Sequence, residues 1–140
     1  MMWNKTITIY NKHEDKQTGL IRWYRHIINN CFFKTTNNQI NIGTVLLNSD
    51  DTIVRIPSQR NYLSPFAWHN EADKDKPLFL TINKGDLIFL GAVVDEIDEY
   101  AQGKRSSDLI AKYSLLGSIT VNSINVNDSG PLAHYLIRGK

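Results

Sequence analysis

Apolar and polar residues alternate along much of this chain with the two-residue period of β-strands, and clusters of Asn, Asp, Ser and Gly interrupt the alternation. Residues 6–10 set Ile7 and Ile9 on one face and Thr6, Thr8 and Tyr10 on the other, which predicts a strand. Polar residues 11–19 end in Gly19, as a hairpin loop would, and a long second strand over 21–33 is expected to bend near Asn29-Asn30. A turn at 35–38 leads to a third strand through Ile40, Ile42, Val45 and Leu47, with Gly43 as a bulge. A turn at 48–51 precedes a fourth strand over 52–56, which Pro57 stops because it has no N–H for the ladder.

Residues 78–100 carry the longest apolar runs, divided by Asn83-Lys84-Gly85-Asp86. Short runs bounded by turn residues predict a central hairpin, 78–82 with 87–94. Val93, Val94, Ile97, Tyr100 and Ala101 also fit helical spacing, so a helix is the alternative for its second half. Residues 101–113 form a basic loop, Gly103-Lys104-Arg105, and a short helix over 107–113 with Ser106 or Ser107 as N-cap. A strand with a bulge near Ile124 and Val126, a turn over 127–131 and a last strand over 133–138 complete the pattern. The expected fold is mainly β: one domain, 1–140, built as a small antiparallel β-barrel or sandwich with one short helix and a long aromatic loop.

That loop, 58–77, is a long insertion without a clear period, and loops of such length are usually functional or disordered. It holds Tyr62, Leu63, Pro65, Phe66 and Trp68. These side chains either fold back over a barrel end or anchor a partner, since aromatic residues are enriched at interface centres.

Composition narrows the classes. With 140 residues and 41% hydrophobic content, the chain fits an ordinary globular domain. A net charge of +2, with the 16 Lys and Arg scattered, does not make the basic stripe of a dedicated nucleic-acid binder. The single cysteine, Cys31, excludes an intrachain disulfide and a Cys-x-x-Cys site, and suits a reducing cytosol. No signal-peptide pattern opens the chain, and no apolar run approaches the roughly 18 to 20 residues of a membrane span, so a soluble protein without a membrane partner is expected.

Catalytic patterns are missing. On a strand, Asp95, Glu96, Asp98 and Glu99 would split between two faces, so a solvated acidic edge is expected rather than a metal site. The histidines lie far apart in sequence, and Cys31 beside Phe32 and Phe33 reads as a buried hydrophobe. Gly103-Lys104-Arg105-Ser106 resembles the end of a P-loop, but Arg105 stands where Ser or Thr must hold magnesium and Asp98 replaces the upstream Gly. The expectation is a protein that is not an enzyme and uses no cofactor.

Several phrases together suggest a family. They are Trp3-Asn4-Lys5-Thr6-Ile7-Thr8-Ile9-Tyr10-Asn11-Lys12, Trp23-Tyr24-Arg25, Asn30-Cys31-Phe32-Phe33-Lys34 and Ile53-Val54-Arg55-Ile56-Pro57. Lys84-Gly85-Asp86-Leu87-Ile88-Phe89-Leu90-Gly91 and His134-Tyr135-Leu136-Ile137-Arg138-Gly139 follow. In this order they resemble the minor capsid proteins of tailed phages and prophages of Gram-positive bacteria, and within them the head-closure, or stopper, proteins of the head–tail connector. The resemblance implies a β-barrel core, a ring beneath the portal and no catalysis. Residues 58–77 are long for a compact stopper, which leaves the adaptor, stopper and tail-terminator layers open.

The expected function is therefore a structural connector subunit that assembles into a ring and joins or closes the head at the tail interface. Its partners would be neighbouring copies of itself, portal or adaptor and tail-side proteins, and DNA in the channel through non-specific contact. It would assemble in the bacterial cytoplasm and reside in the virion. Leu63, Phe66 and Trp68 are the expected contact residues, with Lys104 and Arg105 at a second contact or facing the channel. The alternative is a monomeric oligonucleotide- or peptide-binding β-barrel.

Overall fold

The Ile-Thr-Ile-Tyr alternation near the N-terminus forms β1 (Lys5–Glu14), and the strand is covered on both faces, because Ile7, Thr8, Ile9, Tyr10 and Asn11 are all buried. The computed structural model describes residues 3–42, 45–127 and 133–140, with the side chains of 37–42 and 45–50 excepted. Along them run β2 (Ile21–Ile42), β3 (Val45–Pro57), α1 (Pro65–His69), a 3-10 turn (Lys76–Leu78), β4 (Leu87–Leu90), α2 (Ser106–Lys112), β5 (Ser118–Asn127) and β6 (His134–Gly139). The strands close an antiparallel barrel in the order β1-β2-β3-β6-β5-β4, and β4 pairs back onto β1.

The two-residue period explains two apolar clusters. Ile7, Ile9, Val54, Ile56, Ile88 and Ile137 belong to the main core, with Ile119 and Val121. Tyr10, Leu87 and Phe89, one residue out of phase, pack instead with Val93, Ile97 and Leu109 from residues 91–113. That excursion covers the β1–β4 face and keeps it from water.

The bend expected at Asn29-Asn30 is present. Asn30 takes a left-handed φ of 61°, the facing strand shifts register between Lys5 and Ile7, and β2 changes partner there. It pairs with β1 up to Cys31 and with β3 from Phe32 onward. The turns expected at 35–38 and 48–51 do not form. Both stretches are paired strand, with Asn37 opposite Asp50 and Asn38 opposite Ser49, because continuous cross-strand pairing overrides the turn preference of single asparagines. The Gly43 bulge and the turn after Asn127 lie outside the described residues. The bulge in β5 falls between Val121 and Ser123, ahead of the expected place.

The central hairpin is also corrected. Residues 78–82 make one isolated parallel bridge, Tyr62 with Leu80, and lend Leu80 and Ile82 to the barrel core rather than a strand to its wall. β4 ends at Leu90, and residues 91–100 are neither strand nor helix. Gly91 has a φ of 101° and donates its N–H to Thr6, while the Thr8 hydroxyl binds the Gly91 carbonyl and accepts from Val93 N–H. These bonds turn the chain outward. Arg105, not Ser106 or Ser107, occupies the N-cap position of α2, and its backbone N–H donates to Asp108. The long loop contributes a second short helix, α1, where one helix was expected.

Gly139 explains a close seam. A methyl group there would lie 2.4 Å from the Thr120 carbonyl oxygen and 3.0 Å from Ile119 Cδ1. Since backbone cannot yield as a side-chain end can, Gly139→Ala is expected to destabilise the barrel by roughly 2–3 kcal/mol. A lowered urea midpoint with an unchanged slope would register it.

Candidate contact surface

Trp68 organises the segment between β3 and β4. Ser64 caps α1 by accepting the Ala67 N–H, and Pro65 fits the first helical position because its missing N–H is not needed there. One face of this short helix points Trp68 inward, where it is fully buried. Its indole N–H donates to the carbonyls of Lys76 and Phe79 at 3.3 and 3.2 Å. Tyr24 and His13 meet its ring edge-to-face, and the buried Lys76 ammonium lies 5.8 Å from its centroid. Lys76 also donates to the Glu71 carbonyl and pairs with Asp73.

Trp68 is thus the internal anchor of the segment, and the expectation that it is a contact residue is corrected: burial leaves it no surface to offer. Leu63 is half-buried, and its backbone N–H donates to the Leu80 carbonyl. Phe66 is 82% exposed, an unusual state for a large aromatic side chain. It borders an open cleft of about 430 Å³ with His13, Asp15, Lys16 and His69. There His13 Nδ1 and His69 Nδ1 lie 2.8 Å apart. Among the described residues no group of three or more His, Cys, Asp or Glu could hold a metal ion.

The acidic run is not a strand edge. Asp95 accepts from Lys112 and Tyr113 at 2.8 and 3.0 Å, which holds its carboxyl below the usual carboxylate range. Glu96 accepts from Arg25 at 2.6 Å, Asp98 from Tyr100 N–H, and Glu99 from Ser106 N–H. The four carboxylates staple residues 91–113 to themselves and to β2. Lys104 and Arg105 are exposed on that excursion.

Sequence reasoning missed two surfaces. A second cleft of about 430 Å³ brings Arg22, Trp23 and Tyr24 of β2 together with Asp73, Asp98 and Tyr100 from the two excursions. The Tyr100 hydroxyl accepts the Ile21 N–H there. Only the Trp23-Tyr24 pair hinted at it. Leu115, in the turn after α2, is fully exposed, and Leu116 beside it is partly so. Cys31 is buried, and burial pushes its thiol up to about 12, which favours the protonated thiol over the reactive thiolate. No helix among the described residues is long and apolar enough to cross a membrane.

No curated protein and no solved structure matches this chain. The model of a family of unknown function, DUF6751, matches residues 2–140, and the chain belongs to that family.

Proposed function

We propose that this protein is a structural subunit of a phage or prophage head–tail connector, assembling with copies of itself into a ring that joins or closes the head at the tail. One observation carries the assembly reading. β2 and β3 continue as a two-stranded ribbon, from Thr36 opposite Asp51 to Ile42 opposite Val45. Among the described residues no third strand joins it, since β6 meets β3 only from Thr52. These seven residue pairs reach roughly 20 Å. A lone ribbon is marginally stable in water, so laying it on a neighbouring subunit stabilises it. The exposed Phe66 and the basic Lys104 and Arg105 supply further contacts. The connector assignment itself rests on the phrase resemblance.

Phe66 is the residue that tests the contact, because it can be truncated without touching the core. Phe66→Ala is expected to leave the melting temperature within about 2 °C of the parent, as a surface change does. Yet it should reduce joined particles at least tenfold by electron microscopy of phage lysates, the loss expected of an interface anchor. Normal particle yield from the folded variant would remove Phe66 from the interface.

The cleft of Arg22, Trp23, Tyr24 and Tyr100 favours a second reading, a monomeric barrel that stacks single-stranded oligonucleotide bases or peptide side chains. Salt-sensitive binding of a labelled oligonucleotide would support it, and no binding at low salt would end it for nucleic acid.

A further inference from the structure

We propose that the His13–His69 contact is an acid-released latch that holds α1, and with it Phe66, against the end of β1. The inference is independent of the connector reading. The two Nδ1 atoms lie 2.8 Å apart, and the imidazoles stack at 5.1 Å between centroids with 27° between planes. A bond between two nitrogens needs one N–H and one lone pair, so at least one ring must be bare at Nδ1. Either neutral pairing or a single shared charge satisfies this. Double protonation replaces the bond with two facing N–H donors and two like charges.

The surroundings set the pH at which this happens. Lys16 and Asp15 come from the loop after β1, Arg22 and Tyr24 from β2, and Asp73 and Lys76 from the chain after α1, while Glu14 lines the same cleft. For His13, burial first and then Lys76 hold the imidazole below its ordinary range, against the pull of Asp73 and Asp15. For His69, burial, His13, Lys76 and Lys16 all act in that direction. A histidine whose folded pKa is depressed binds fewer protons folded than unfolded. Its contact is therefore fully made above the ordinary value near 6.5 and weakens as pH falls below it.

Apart from the buried Trp68, α1 has few ties to the barrel. The Trp68 indole bonds stay within its own segment, to Lys76 and Phe79, and its links outward are ring edges of Tyr24 and His13. The backbone bonds between Leu63 and Leu80 and between Leu80 and Asn61 close the base of the segment, so release loosens 64–71 around the Trp68 anchor and leaves the barrel intact.

Hydrogen exchange of the full chain, read by mass spectrometry in EDTA on peptides covering 64–71, tests this. After correction for intrinsic rates, protection should fall at least about tenfold from pH 7.5 to 5.0. Barrel peptides from β1 and β4 should stay protected. His69→Gln and, on the opposite side, His13→Gln should each flatten the profile, while His26 and His134 remain in both. Unchanged protection in the parent, or a fall that persists in both variants, would overturn the latch.

Discussion

Trp68→Ala is expected to lower stability by about 4 kcal/mol, because it empties the centre of the segment between β3 and β4. The indole is fully buried, and its removal leaves the Lys76 and Phe79 carbonyls without their donor and the Lys76 ammonium without its ring face. For a domain of this size the melting temperature should drop by about 15 °C, as followed by far-ultraviolet circular dichroism. Trp68→Phe, which keeps most of the apolar volume and loses only the N–H donor, should cost about 1–2 kcal/mol. A shift under about 3 °C for the alanine variant would mean that the segment does not depend on this anchor. Because of that dependence, Trp68 cannot report on docking: its truncation would confuse unfolding with loss of contact, whereas Phe66 avoids this.

A loss of similar size, about 4 kcal/mol, is expected for Asp86→Ala, through unsatisfied donors rather than a cavity. Asp86 is buried and accepts three N–H groups: Lys12 backbone at 3.0 Å, Asn83 backbone at 2.9 Å and the Asn11 side chain at 3.0 Å. Asn11 in turn donates to the Thr81 carbonyl and accepts the Thr81 N–H, so one carboxylate ties β1 to the turn before β4. Burial pushes this carboxyl up to about 7, against the three donors that favour its charged form. A raised folded pKa means that the folded state holds the proton between about 4 and 7 while the unfolded state releases it. The contribution of that shift is fully present below about 4 and is lost as pH rises through 7. The stability gap between parent and Asp86→Ala, measured by urea titration, should therefore narrow from pH 4.5 to pH 7.5. A gap that stayed level over that range would show Asp86 held charged throughout.

The legible parts of this molecule were those governed by local pattern. The alternation in β1, the bend at Asn30, the stop at Pro57 and the short helix before Tyr113 all follow from side-chain period or backbone restriction. The apolar run through Val94 predicts a strand, and with it an edge for the carboxylates 95–99. In fact the Thr8 hydroxyl, distant in sequence, turns the chain at Gly91 and frees the acids to bind Lys112, Tyr113 and Arg25. Of the contact residues, Phe66 and Trp68 are two positions apart and indistinguishable by composition. The direction in which α1 docks decides that one is exposed and the other enclosed.

By itself, the sequence determined that this is a mainly β chain with its apolar residues in strand phase and a single cysteine that cannot form an intrachain disulfide. Those properties depend on residue type and near spacing. Only the tertiary structure decided that the strands close into a barrel, that residues 78–82 plug it instead of lengthening its wall, and that β2 and β3 run on as a ribbon. It alone brought His13 to His69 and Arg22 to Tyr100. Such pairings join residues far apart in the chain, and their geometry comes from closure of the barrel and the docking of its two excursions, which no short window of sequence contains.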